Sequence, residues 1–353
     1  MQGSMDRRSF LAAGAGLAAA SLTEGLPQAA RGPEILVPGT DPVMVASHNA
    51  LPHALPKAYA ALVAGADPVD AAVLGAEVVE NDPTDHSVGY GGLPNELGEV
   101  ELDASVMDGT TGLCGAVASL RRIRNPAAVA RLVMKHTKHA MLVGDGALAF
   151  AKAQGFKEED LLTPEAREIW MYWKRSHSEK DFWLSPAAEE IPAHVKRWFG
   201  ITGTVHFSAR TKDGRLGACT STSGMAFKLA GRVGDSPIIG AGLFTDETGS
   251  AGSTGRGESN IAVCGAHTIV EAMRQGKHPT DACLVAARRV ADGTRAAWLK
   301  KSDGRPDLDI IFYAVDREGR FGGASLWDGN RYAVADASGT RLMDAAFVLA
   351  KKG

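Results

Sequence analysis

The stretch from Gly203 to Gly255, GTVHFSARTKDGRLGACTSTSGMAFKLAGRVGDSPIIGAGLFTDETGSAGSTG, constrains this chain more than any other. Its first half reads as a β-hairpin: Thr204 to Ala209 alternates in character, Lys212-Asp213-Gly214 supplies a turn, and Arg215 to Thr222 returns extended. With Asp213-Gly214 as a two-residue turn, Lys212 pairs with Arg215, and that register sets Thr204 opposite Ser223 and beside Thr222. The second half is too rich in Gly and Pro for helix, and it carries a cation and an anion three residues apart, Arg232 and Asp235. A hydroxyl cluster beside such a charged loop suits a small zwitterion.

At 353 residues the chain can bury a substantial core as one large α/β domain or two ordinary ones. A net charge of -3 leaves no basic footprint for nucleic acid or an anionic membrane surface, so the composition favours small-molecule chemistry. The four cysteines show no CxxC spacing and sit among small or apolar neighbours, the pattern of buried thiols rather than of a zinc site. At the N-terminus, Arg7-Arg8 precedes the weakly hydrophobic run AAGAGLAAASL, the pattern of a twin-arginine export signal. That run is too short and glycine-rich for a transmembrane helix. The reading is a signal over residues 1–30, with small-residue cleavage sites at Ala18-Ala19-Ala20 or around Ala29-Ala30, and a periplasmic or secreted protein over 31–353.

Along the chain, Ile35-Leu36-Val37 and Val43 to Ala46 read as extended, and helices follow at Pro56 to Gly65 and Pro68 to Glu80, the second capped by Asp67. Asn81 to Gly98 is turn-rich, and Glu101 to Asp108 is a strand. Pro126 to Lys138, Asp145 to Gln154 and Thr163 to Arg175 carry helical patterns. His136 and His139 read as an exposed helical pair, not a metal site, for want of a third ligand nearby. Ser176 to Gly200 is a long surface connection leading into Gly203-Thr204. Glu258 to Arg274 and Thr280 to Asp292 follow as helices, then Asp309 to Asp316, Arg320 to Trp327 and Arg331 to Asp336 as a β-meander. The order predicts an α+β protein of layered antiparallel sheets covered by helices.

Gly203-Thr204, Thr220-Ser221-Thr222-Ser223-Gly224, Gly231-Arg232-Val233-Gly234-Asp235-Ser236-Pro237 and Ser253-Thr254-Gly255 together resemble the glycosylasparaginase family of N-terminal nucleophile hydrolases. Ser87-Val88-Gly89-Tyr90-Gly91-Gly92 and Asp108-Gly109-Thr110-Thr111 add to the likeness, which covers roughly residues 35 to 350. The resemblance implies a four-layer αββα sandwich. It also implies a precursor that cuts itself between Gly203 and Thr204, giving fragments 31–203 and 204–353, and a dimer of two-fragment protomers. Under it Thr204 is nucleophile and, through its freed amine, base. Thr254 and the Gly255 N–H form the oxyanion hole, Arg232 takes the substrate α-carboxylate, Asp235 the α-ammonium, and Thr222 and Ser87 support nucleophile and substrate. The substrate is a small asparagine derivative, and no cofactor is called for. A glycine at 203 suits a strained scissile bond.

The chain also departs from that pattern. Gly203 stands where these enzymes commonly have Asp, His206 stands where they commonly have Gly, and the first loop reads Ser47-His48-Asn49-Ala50-Leu51, without their usual tryptophan. Two other readings stay open on the sequence. One is the same chemistry on free asparagine or β-aspartyl peptides; the other is an unprocessed periplasmic amino-acid-binding protein that kept the Arg232/Asp235 clamp.

Overall fold

A strand covered on both faces must be apolar on both, and β1 (Val43–Ser47) is buried along its whole length. Met44 and Ala46 join a core built with helices, while Val43 and Val45 face a second sheet. This alternation sets the layers of the molecule, a computed structural model that describes residues 41–177, 191–196, 198 and 203–351. The signal segment, the extended run at Ile35-Leu36-Val37 and most of the connection from Ser176 to Gly200 lie outside the described residues.

The first sheet has eight strands in the order β12-β11-β1-β5-β6-β2-β3-β4. Besides β1 these are β2 (Leu102–Asp108), β3 (Cys114–Leu120), β4 (Met141–Val143), β5 (Val205–Arg210), β6 (Leu216–Thr222), β11 (Arg331–Asp336) and β12 (Gly339–Asp344). The second has five, β7 (Leu243–Thr245), β8 (Gly249–Gly255), β9 (Ile310–Asp316), β10 (Phe321–Trp327) and β13 (Ala346–Leu349), in the order β13-β10-β9-β8-β7. Pairing is antiparallel except at β3–β4 and β10–β13.

Helices α1 (Ala54–Val63), α2 (Pro68–Glu80), α3 (Pro126–His136) and α4 (Gly144–Ala153) supply the apolar cover of the first sheet. Two others, α5 (Pro164–Ser176) and the short α6 (Ala193–Lys196), lie in the connection toward β5. After β8 come α7 (Gly257–Ile261), α8 (Gly265–Arg274) and α9 (Pro279–Gly293), and the last two cover the second sheet. The architecture is the α+β, four-layer αββα sandwich. Asp67 caps α2 by accepting from the Val69 and Asp70 N–H groups at 3.0 and 3.4 Å, with Pro68 pre-set in the first turn.

Several expectations change. The β5–β6 turn has three residues, Lys212 to Gly214, closed by Thr211 N–H to Arg215 O at 2.9 Å with Gly214 at φ 82°. The register shifts by one, so Val205 pairs with Ser221 and His206 with Thr220. The final meander is a hairpin, β9–β10, after which the chain crosses to the first sheet, where β11 pairs with β1 and β12. The helix read over Glu258 to Arg274 breaks in two, because Cys264 adopts a left-handed φ of 47°. Ser253-Thr254-Gly255 ends strand β8. His139 lies beyond the end of α3, and the exposed His136 Nδ1 meets Gln154 Oε1 at 3.1 Å. Of the four thiols, Cys219 and Cys283 are buried, Cys114 is half-buried and Cys264 is exposed.

One buried acid joins the first sheet to its helices. Glu80, the last residue of α2, accepts from Ser221 Oγ at 2.6 Å, from the Ala127 N–H of α3 at 3.0 Å and from Asn125 Nδ2 at 3.2 Å. Burial nevertheless pushes its carboxyl up to about 7, against the pull of those donors. A carboxyl raised on folding binds its proton more tightly in the native state. Its contribution is therefore complete below the unfolded value near 4.5 and is lost as pH rises through about 7. Over that window the slope amounts to on the order of 3 kcal/mol. Glu80→Gln removes the titration, so its denaturation free energy should lack this fall between pH 4.5 and 7.5, as urea unfolding at a series of pH values will show.

Candidate active site

The register of β5 against β6 places Thr204, one residue before β5, across from Thr222 at the end of β6. Thr222 Oγ1 donates to the carbonyl oxygen of Gly203 at 2.6 Å and accepts from the Gly224 N–H at 2.9 Å. The Thr222 proton is thus committed to the peptide carbonyl that precedes Thr204. Thr204 is 8% exposed and lines the cleft at the strand head.

The second sheet closes over this point through β8. Thr254 Oγ1 donates to Thr204 O at 3.3 Å and forms a short bond with the Tyr313 hydroxyl of β9. Further along, β8 approaches β5 so closely that a Cβ on Gly252 would lie 2.2 Å from the His206 ring. His206 fills that gap, with Nδ1 at 2.7 Å from Thr220 Oγ1, Nε2 at 2.8 Å from Ser208 Oγ, and its ring stacked on Tyr313 at 5.4 Å. Burial drives it down to about 3, so it is a neutral hydrogen-bonded wedge between sheets. Gly255 has φ 136°, and a Cβ there would lie 2.4 Å from the Asp309 carbonyl oxygen, so the position suits glycine.

Arg232 and Asp235 each have their own partner. Glu258 Oε1 accepts from Arg232 Nε at 2.9 Å and lies 2.8 Å from Nη2. Asp235 Oδ2 accepts from Ser253 Oγ and from Asn260 Nδ2, both at 2.7 Å. The short helix α7 therefore supplies both Glu258 and Asn260. Burial pushes the Asp235 carboxyl above its usual range, opposed by the Asn260 and Ser253 hydrogen bonds and by the nearby Arg232 charge. Glu258 is held below its usual range: the Arg232 and Arg256 charges and its own backbone hydrogen bond outweigh the opposing effect of burial.

Ser87 is fixed by Asp85, whose Oδ1 accepts from the Ser87 N–H at 2.9 Å and from its hydroxyl at 2.5 Å. It packs so tightly on Gly203 that a Cβ there would lie 2.0 Å from Ser87 Cβ. The lack of a side chain at Gly203 serves this close approach. One cleft gathers Gly203, Thr204, Thr222, Arg232, Asp235 and Gly255 with Met225 and Ser236. Of the other two residues singled out, Thr254 reaches it through Thr204 O and Ser87 through Gly203. A wider cleft around Arg122, Glu158 and Arg167 holds ion-paired side chains and none of these residues. Sequence reasoning gave no role to Asp85, Glu258, Asn260 or Tyr313. Only the Asp-x-Ser spacing at 85–87 carried a local signal for any of them.

Two stacked sheets between helix layers, with a hydroxyl residue at the head of a central strand and at the sheet interface, define the N-terminal nucleophile hydrolase class of α+β protein. A family model described as asparaginase matches residues 39–297, and the chain belongs to that family. It is 42% identical over 310 residues to the N(4)-(beta-N-acetylglucosaminyl)-L-asparaginase of Elizabethkingia miricola, spanning 87% of this chain and 85% of that relative. The mouse protein of the same name is 37% identical over 280 residues, 72% of this chain and 79% of its own length. The rat protein is 36% identical over 279 residues, with the same shares.

The sheet contact at Gly252 is testable without any substrate. Gly252→Ala sets a methyl inside the His206 ring and should cost at least about 1–3 kcal/mol of stability, the range for overpacking. Urea melts with an unchanged m value and a lower midpoint are the expected result.

Proposed function

We propose that this chain is a self-processing amidohydrolase that cleaves the side-chain amide of N4-(β-N-acetylglucosaminyl)-L-asparagine. The observation that carries the reading is the 2.6 Å hydrogen bond from Thr222 Oγ1 to Gly203 O, a donor aimed at the carbonyl of the one peptide bond that Thr204 can attack. The names of the relatives from Elizabethkingia miricola and mouse support the substrate.

In the self-cleavage, Thr204 Oγ adds to the Gly203 carbonyl carbon while Thr222 donates to the developing oxyanion. The C–N bond then breaks, Thr204 N takes the hydroxyl proton, and an ester joins Gly203 to Thr204 Oγ. Water hydrolyses that ester, leaving a carboxylate on Gly203 and a free α-amine on Thr204. An α-amine at a chain end ordinarily titrates at about 7.7–8.0, so it can accept the proton of the same residue's hydroxyl near neutral pH.

In turnover, Arg232 pairs with the substrate α-carboxylate through the part of its guanidinium that Glu258 leaves toward the cleft, and Asp235 receives the α-ammonium. These two contacts set the side-chain amide carbon over Thr204 Oγ. The Thr254 hydroxyl and the Gly255 N–H take the oxyanion, the glycosylamine leaves with a proton from the Thr204 ammonium, and water then releases aspartate from the aspartyl-threonine ester. Ser87, fixed by Asp85 against Gly203, holds the wall of the cleft. Export by the twin-arginine route and a dimer of two-fragment protomers belong to the same proposal. They rest on Arg7-Arg8 with its apolar run and on the family resemblance.

Thr204→Ala should run as one band on a denaturing gel and release no aspartate, whereas the native chain should run as two fragments beginning at residues 31 or earlier and at 204. Retained hydrolysis by the uncut variant would sink the mechanism. Thr222→Ala should slow self-cleavage by about 10²–10³-fold, the usual cost of one oxyanion donor, as band intensities against time will measure. Comparing kcat/KM for the glycosylated amino acid, free asparagine and a β-aspartyl dipeptide should rank the first highest.

A further inference from the structure

The hydroxyl of Tyr313 bonds to Thr254 Oγ1, and nothing in the chemistry just derived uses it. Tyr313 lies on β9, 1% exposed, with its ring against the His206 ring. Besides Thr254, the Ser47 side chain lies near its phenol. The protons of this small network can be counted. Asn49 Nδ2 donates to Asp85 Oδ2 at 3.3 Å, which turns Asn49 Oδ1 toward Ser47, and the Ser47 hydroxyl donates to it at 2.7 Å. Ser47 Oγ also accepts from the His206 N–H at 3.1 Å. Thr254 has its own proton on the cleft side, toward Thr204 O. Thr254 has thus spent its proton on the cleft side, and Ser47 Oγ already accepts the His206 N–H, so the phenolic proton serves the short bond to Thr254.

We infer that Tyr313 is a positioning residue for the reaction: by donating to Thr254 Oγ1 it leaves the Thr254 proton only one direction, into the cleft where the oxyanion forms. The inference rests on the reading of Thr254 as an oxyanion donor. A lone threonine hydroxyl rotates and would divide its proton between the cleft and any nearby acceptor. Held by a buried donor on its far side, it is pre-aimed, and donation to the oxyanion strengthens the bond it accepts. Burial pushes the Tyr313 phenol well above its ordinary range, which keeps the donor protonated at working pH. His206 completes the device as the flat wall that seats the Tyr313 ring. This gives a use to the residue that most sets β5 apart from its family pattern.

The test is a double-mutant cycle on the self-cleaved enzyme, with aspartate release from the glycosylated asparagine as readout. Tyr313→Phe should complete its self-cleavage, keep KM within about twofold and lose about tenfold in kcat, the scale of one pre-aimed hydrogen bond. Thr254→Ala should lose about 10²–10³-fold. Adding Tyr313→Phe to Thr254→Ala should cost less than about twofold more, because the phenol acts through that hydroxyl. Full additivity, an effect on KM alone, or no effect of Tyr313→Phe would overturn the inference. An unimpaired Thr254→Ala would instead overturn the reading of the oxyanion hole. Tyr313→3-fluorotyrosine keeps shape and hydroxyl while easing ionisation. It should keep kcat within about twofold of the native enzyme, and a loss of about tenfold in the folded, self-cleaved variant would count against the donor role even if the Phe variant fails to fold.

Discussion

The two sheets touch most closely where β8 lies over β5, and the site depends on that approach. Gly252 admits the His206 ring, Ser208 Oγ and Ser250 Oγ meet at 2.6 Å, and Thr254 reaches Thr204 O. A seam between sheets is usually greasy, and on the neighbouring strands it is, with Val45 and Val334 in the row of Ser208 and Val315 in the row of Ser250. Between β5 and β8 it becomes a chain of hydroxyls and one neutral imidazole, each with a partner. Satisfied groups of this kind fix sheet spacing more narrowly than interchangeable methyls would, and the alignment of Thr254 over Thr204 needs that narrowness.

Charge is handled by the opposite means, separation. A cation and an anion three residues apart would ordinarily find one another and be of no use to a ligand. Here α7 prevents it, because Glu258 takes one side of Arg232 while Asn260 and Ser253 take one oxygen of Asp235. Close by, burial lowers Lys228, whose ammonium donates to Glu101 O and Ser223 O, and raises Asp103. The cleft is thus lined with charges already held in place, so binding a zwitterion costs little rearrangement.

What the sequence disclosed follows the range of the forces involved. The α2 helix, with Asp67 ahead of Pro68, is a local matter, and its bounds are those read from the chain. The β5–β6 hairpin was legible as alternation about a turn, but its register hung on whether Lys212 belonged to the turn, a choice closed by Thr211 and Arg215. Strand β8 was illegible because Gly249 to Gly255 has no residue of high strand propensity beyond Thr254; its neighbours β7 and β9 impose the conformation. The Asp328-Gly329-Asn330 turn has the composition of a hairpin, yet the chain uses it to change sheets, a decision made by what β11 can pair with. Six of the eight site residues singled out from motifs line one cleft. Apart from Asp85, two residues from Ser87, their supports come from remote positions that no spacing could reveal.

The strand order holds a consequence for the life history of the molecule. Strands β1 to β4 precede residue 203 and strands β5, β6, β11 and β12 follow it, and in the first sheet β1 lies between β5 and β11. A cut at Gly203-Thr204 therefore yields two interleaved chains that cannot part without dismantling a sheet. In the uncut chain folding is unimolecular; in a cut one, recovery from denaturation would be a meeting of two chains, at a rate that falls with dilution. The severed protein would persist on the height of its unfolding barrier, and the peptide link would have served as an assembly jig, needed once and then discarded.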